Sequence, residues 1–200
     1  GVPLREPQPG GREALESLGV PAGAPVVGNV AALTDHKDHR TLLEAMAIVR
    51  RSRPEARLVI VGEGELRSAL EARARALGLA ETVIFAGFRG DLDRLIPTFT
   101  VFCLSSHLEG LGTSLLDAMA FGRPIVATAA GGIPEAVVDG VTGCLVPPRD
   151  PQALAEALIA VLGDEPRRAE MGRAGRRRFE EHFTAERMVE ETLAVYQEVV

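Results

Sequence analysis

Apolar residues in this chain fall into short unbroken runs, and amphipathic stretches fill the gaps between them. "PVVGNVAAL", "RLVIVG", "TVIFAG", "TVFCLSS", "PIVATA" and "GCLVP" read as strands. Each is bounded by turn residues and lacks the alternation of a strand that is wet on one face, which is the signature of a parallel sheet covered on both sides. Between them "REALESLG" predicts a short helix closed by Gly19, and Asp38 can cap a helix running to about Arg53 with Leu42, Leu43, Met46 and Val49 on one face. "ELRSALEARARALG" predicts a helix ending at Gly78, "DLDRLI" and "IPEAVVD" two short ones, and "HLEGLGTSLLDAMA" another. From about residue 150 the pattern is wholly helical, through "PQALAEALIAVLG", "EPRRAEMGRAGRRRF" and "TAERMVEETLAVYQEV". The expectation is one α/β domain: a linker and short helix over 1–23, a doubly wound parallel sheet of about six strands over 24–150, and a helical C-terminal tail over 151–200.

Composition narrows the function. A formal net charge of −6 and a pI near 5.3 argue against bulk nucleic-acid binding, which needs a basic footprint. The run "GRAGRRRFEEHF" reads as a solvated helix surface. No apolar run approaches the ~20 residues that span a bilayer, and "GVPLREPQPGG" carries no leader pattern, so the expected location is cytoplasmic. Cys103 and Cys144 both sit in apolar runs and read as structural thiols.

In a doubly wound sheet, ligands bind beyond the carboxyl ends of the strands. The loops there are "TDHKDH", "GEGE", "GFRGD", "SSHLEGLGTS", "AAGG" and "PPRD", and they hold Lys37, Glu63, Arg89 and Glu109. Gly110 and Gly112, followed by Thr113 and Ser114, would expose several amides at a helix start, where the dipole favours a phosphate. Lys37 could add a charge-assisted bond. No Walker-type glycine loop is present, and "GEGE", with Gly62, is only a fragment of a dinucleotide fingerprint. Two acids flank this anion site: Glu109 before the glycines and Asp117 one turn into the helix. Carboxylates repel phosphate but accept from hydroxyls, so Asp117 could read a ribose and Glu109 a sugar beyond the outer phosphate. The plainer alternatives are that Ser114 and Asp117 form a capping pattern and that Glu109 is simply solvated. "DLD" at 91–93 opens a helix, so Asp91 reads as an N-cap rather than a metal ligand. His36 and His39 with Asp35 and Asp38 have no further ligand at a recognisable spacing. His107 is either a donor contact or a plain loop histidine, and Glu135 reads as a tie for loop amides.

The stretch "EGLGTSLLDAMAFGRPIVATAAGGIPEAVVDGVTGCLVPPRD" closely resembles the signature of retaining family-four (group 1) glycosyltransferases, whose architecture is GT-B, two Rossmann-like domains facing a cleft. The match extends upstream through "VIFAGF" and "LVIVGEG" to "HKDH". The resemblance implies the C-terminal, donor-binding domain, with the N-terminal acceptor domain as its missing partner in the same polypeptide. It implies Glu109 and Lys37 as catalytic groups, on the sugar hydroxyls and the diphosphate. Donor contacts would come from Gly62, Phe88, Arg89, Gly110, Leu111, Gly112, Thr113, Ser114 and Asp117. The donor would be a nucleotide-diphosphate sugar, foremost a UDP-sugar, with no cofactor and no metal, and any membrane contact would be peripheral and made through the missing half. Two positions depart from the pattern: the second acid is Asp117 instead of Glu, and Ala32 stands where an Arg usually precedes the lysine, so that either His36 or Arg89 substitutes, or the leaving group is stabilised less, or the donor is held differently. Two other readings fit the same signature, a GT-B epimerase or phosphorylase and a stand-alone nucleotide-binding module. The apolar face of the last helix (Met188, Leu193, Val195, Tyr196) would cross to the other domain, pack locally or stay exposed.

Overall fold

The structure, a computed structural model, describes residues 1–199. Its centre is one parallel sheet of β1 (Val26–Val30), β2 (Arg57–Val61), β3 (Val83–Gly87), β4 (Val101–Leu104), β5 (Ile125–Thr128) and β6 (Gly143–Val146). The strands lie in the order β3-β2-β1-β4-β5-β6. Successive side chains point to opposite faces of a strand, so the unbroken apolar runs supply both layers at once. Val26, Val59, Phe102 and Ile125 face one core, and Val27, Leu58, Ile60, Cys103 and Val126 face the other.

On the first face lie α1 (Gly11–Ser17), α4 (Leu92–Leu95), α5 (Thr113–Ala120) and α6 (Ile133–Ala136); on the second lie α2 (His39–Ser52), α3 (Arg67–Ala76) and α7 (Pro151–Gly163), while α8 (Glu165–His182) reaches both cores, the first through Phe179 and the second through Met171. The starts of the long helices are written into the sequence. Asp38 Oδ1 accepts from the Thr41 amide at 3.2 Å, Asp150 from Ala153 at 2.9 Å and Asp164 from Arg167 at 2.9 Å, caps that contribute ~1 kcal/mol each. Leu42, Met46 and Val49 recur at helical spacing and are fully buried; burial of such side chains stabilises by about 1.5–3 kcal/mol apiece.

The cap expected of Asp91 is not formed. Asp91 precedes α4, but its carboxylate accepts a bidentate pair from Arg89, Nε to Oδ1 at 2.8 Å and Nη2 to Oδ2 at 2.7 Å. Two charge-assisted bonds outweigh one bond to an amide. The first residues, expected as a linker, are tied down: Val2 exchanges backbone bonds with Phe183 and Ala185, and the Gln8 amide donates to Asp93. Both cysteines are free, and burial pushes the Cys103 thiol up to about 12. On α9 (Ala185–Val199), Met188, Val189, Leu193, Val195 and Tyr196 remain exposed. Among the described residues, no helix is long and apolar enough to cross a membrane.

Candidate active site

The strand order reverses between β1 and β4, which are neighbours although their connections diverge to opposite ends of the sheet. The loops leaving these two strands therefore face each other across a crevice, the place where doubly wound sheets take their ligands. They are stitched together by hydrogen bonds. The Ser105 hydroxyl donates to the Lys37 carbonyl at 2.9 Å, and the His107 amide donates to the His36 carbonyl at 3.0 Å. A short 3₁₀ turn, Asp35–Lys37, and the left-handed Asp38 that follows it set the lysine at the crevice.

Lys37 Nζ donates to Glu109 Oε2 at 2.5 Å, and Ser106 Oγ donates to the same oxygen at 2.9 Å. The lysine and glutamate side chains are only 17% and 10% exposed. Next comes the start of α5. Its N-cap is Gly112, in a left-handed conformation at φ 70° that suits glycine. No side chain among the described residues caps them, which leaves the first amides of the helix free for a ligand. Asp117 lies a turn further in and is not a cap, which sets aside the capping reading of Ser114 and Asp117. It is half-buried, and desolvation pushes its carboxyl above the usual range, partly offset by Arg5.

These groups share one cavity of about 460 Å³. Of the residues picked from the sequence, Lys37, Gly62, Phe88, Arg89, Glu109, Gly112, Thr113, Ser114 and Asp117 line it. Phe88 stands 77% exposed. Gly110 and Leu111 do not line it. The Gly110 carbonyl instead accepts from the Gly132 amide at 2.9 Å, and Leu111 turns to the apolar core and to a separate hollow beside Thr184 and Met188.

His36 and Arg89 are the two candidates to replace the arginine absent at position 32. Ala32 itself lines the cavity and offers no charge there. His36 stands outside, with Nδ1 3.3 Å from Thr34 Oγ1. Arg89 lines the cavity but is held by Asp91. Lys37 and Arg89 are thus the cations of the lining, each paired with an acid among the described residues. His107 lies in a neighbouring hollow with Asp35 and Arg149. Glu135 does not tie the loop: its side chain is exposed, and the Gly132 amide makes the contact by donating to the Glu109 and Gly110 carbonyls. Among the described residues no group of three or more His, Cys, Asp or Glu could hold a metal.

Sequence reasoning missed a buried support beneath the lysine loop. His39 Nε2 meets Asn29 Oδ1 at 3.0 Å, and Asn29 Nδ2 donates to the Cys103 carbonyl at 2.9 Å. Burial, and then the nearby Lys37 charge, lower the His39 pKa to about 4. The available signal was Asn29 itself, one amide inside an apolar strand run, which demands a partner. Glu63 of the "GEGE" loop also lines the cavity, and so does Leu92, which carries no sequence signal of a site.

Chemically, the arrangement joins free amides and a lysine, which suit a polyanion, to carboxylates on both sides, which suit hydroxyl donors. Comparison with known proteins gives the family. Residues 12–178 match the family model described as glycosyl transferases group 1. A GDP-mannose-dependent monoacylated alpha-(1-6)-phosphatidylinositol monomannoside mannosyltransferase from Corynebacterium glutamicum is 35% identical over 192 residues, covering 91% of this chain and 49% of that protein. A D-inositol 3-phosphate glycosyltransferase from Saccharomonospora viridis is 34% identical, covering 100% of this chain and 49% of the relative. The chain thus spans about half the length of these curated relatives. Among solved structures, Anabaena HepE in complex with UDP and glucose superposes with a TM-score of 0.88 at 26% identity, over 98% of this chain and 54% of that one. The C-terminal domain of a group 1 family glycosyl transferase (LpcC) from Francisella tularensis gives a TM-score of 0.82 at 25% identity, over 92% of this chain and 100% of that one.

Proposed function

The chain belongs to the group 1 glycosyl transferases, and on that premise we propose that it is the donor-binding domain of a retaining enzyme, one that moves a sugar from a nucleotide diphosphate to an acceptor hydroxyl. The observation that carries this reading is the shared cavity of Lys37, Glu109, Asp117 and the amides that open α5. Its volume, about 460 Å³, is in the range of small-molecule sites.

In this reading the diphosphate lies against Gly112, Thr113 and Ser114, where the helix dipole contributes roughly 0.3–1 kcal/mol, up to ~2 when partly buried. Lys37 takes the outer phosphate. As the glycosidic bond breaks, negative charge grows on the leaving diphosphate, and these preorganised donors stabilise it without further rearrangement. Glu109 orients the sugar through its hydroxyls, Asp117 accepts from the ribose, and the exposed Phe88 with Arg89 and Gly62 borders the base. No metal and no cofactor enters the scheme.

The foremost donor is a UDP-sugar, which the UDP-bound HepE structure supports, while the name of the Corynebacterium relative brings GDP-mannose in beside it. The 200 residues alone should bind donor and transfer nothing, because the acceptor side of the cleft belongs to the remainder of the enzyme. We propose a cytoplasmic location, with any membrane contact peripheral and made through that remainder. A thermal-shift panel with UDP, GDP, ADP and TDP and their sugar conjugates tests it. Ligand at a hundred times its Kd should stabilise the domain by about 2.7 kcal/mol. No shift with any of them would contradict the reading.

A further inference from the structure

We infer that the Lys37–Glu109 pair makes the cavity discriminate a sugar nucleotide from the bare nucleoside diphosphate. The inference rests on the donor-site reading above and adds to it a role for Glu109 in the absence of sugar. Without ligand, the lysine that would meet a phosphate is already neutralised: its ammonium lies 2.5 Å from Glu109 Oε2, in a pair mostly withdrawn from solvent. Arg89, the other cation of the lining, is occupied by Asp91. A diphosphate entering this cavity must therefore compete with a carboxylate for Lys37.

The consequences differ for the two ligands. When a bare nucleoside diphosphate takes Lys37, Glu109 keeps, among the described residues, only the Ser106 hydroxyl and faces an anion across a cavity of reduced dielectric, where like charges repel more strongly than in water. When the ligand carries a sugar, its hydroxyls donate to the released carboxylate and compensate for the lost ammonium. The geometry suits that exchange. Both recorded bonds fall on Oε2, and Oε1 accepts none among the described residues. Glu109 thus favours the donor before transfer and weakens the grip on the nucleotide once the sugar has gone, which helps the product leave. No movement of the fold is needed, since the backbones of both loops are held by Ser105 and by Gly132.

Titration calorimetry on this chain tests the inference, with UDP and UDP-glucose, GDP and GDP-mannose as probes against wild type, Glu109→Gln and Glu109→Ala. Removing the carboxylate should tighten the bare nucleoside diphosphate by about tenfold, the size of effect expected for one close charge pair. The sugar nucleotide should bind no more tightly than before, so the preference for it shrinks. The alanine variant should move the same way, which covers the case of a glutamine that disturbs the loop. If wild type binds a nucleotide and both variants bind the bare form equally or less well, the inference is overturned: Lys37, with three protons to donate, would then serve both anions at once. If wild type binds none of the four, the donor-site reading itself falls and the inference goes with it.

Discussion

Gly131 packs its Cα against the carbonyl oxygen of Glu109, so closely that a methyl group there would overlap that oxygen. Its φ of 53° also lies in the left-handed region that side chains disfavour. This contact links the loop after β5 to the loop after β4, and the neighbouring Gly132 amide continues it by donating to the Glu109 and Gly110 carbonyls at 3.3 and 2.9 Å. A glycine twenty-odd residues downstream thereby fixes the backbone of the acid in the cavity. Gly131→Ala should cost at least ~1–2 kcal/mol from the left-handed backbone alone, and more from the overlap. It should also weaken sugar-nucleotide binding because Glu109 moves with its loop. Denaturant midpoints at unchanged m-value, set beside calorimetric affinities, check both effects; a stable variant with normal binding would show that the contact is dispensable.

Asp117 provides a test with opposite signs for stability and binding. Desolvation raises its carboxyl pKa in the folded state, so above that pKa the charge costs stability, and the cost disappears only as the group protonates at lower pH. Asp117→Ala should therefore leave the unliganded domain at neutral pH as stable as wild type or more so. Yet it should lose discrimination between a ribonucleoside diphosphate and its 2′- or 3′-deoxy analogue, roughly tenfold or more if a hydroxyl-to-carboxylate bond is removed. Equal discrimination in wild type and variant would place the ribose elsewhere.

His39 gives the fold a pH dependence whose sign follows from its surroundings. Its pKa is lowered from 6.5 to about 4 in the folded protein, chiefly by burial and then by Lys37. Between those values the unfolded chain binds the proton that the folded chain refuses, so stability rises with pH through this window and is lost as pH falls through it. His39→Gln keeps a donor for Asn29 Oδ1 and removes the titration. Urea unfolding at several pH values should show a shallower acid slope in the variant between about 4 and 6.5. Parallel slopes would mean that other groups dominate.

The sheet was legible because its chemistry is local. "VVGNV" and "RLVIV" have apolar residues on both faces, so each run announces a covered parallel strand by itself. The loops after the strands follow from that, and with them nine of the cavity's lining residues. What stayed hidden depends on contacts between distant segments. Lys37 and Glu109 lie 72 positions apart, and they meet because β1 and β4 are neighbours at the reversal of strand order. Leu111 sits in the middle of a glycine-rich motif, yet its apolar side chain follows the core instead of the cavity. Asp91 has the position of a cap, but the arginine two residues before it is a stronger partner than an amide. Composition at one site cannot rank such competitors; their spatial arrangement does.

The central claim is that this crevice grips a pyrophosphate through Lys37 and the first amides of α5. Calorimetric titration of the wild-type chain and Lys37→Ala with UDP and GDP tests it most directly. A charge-assisted bond of about 1.5–3 kcal/mol, less what Lys37 gives up by leaving Glu109, predicts that the variant binds several-fold more weakly, with a smaller loss of affinity as salt is added. Affinity and salt dependence unchanged by the substitution would contradict it.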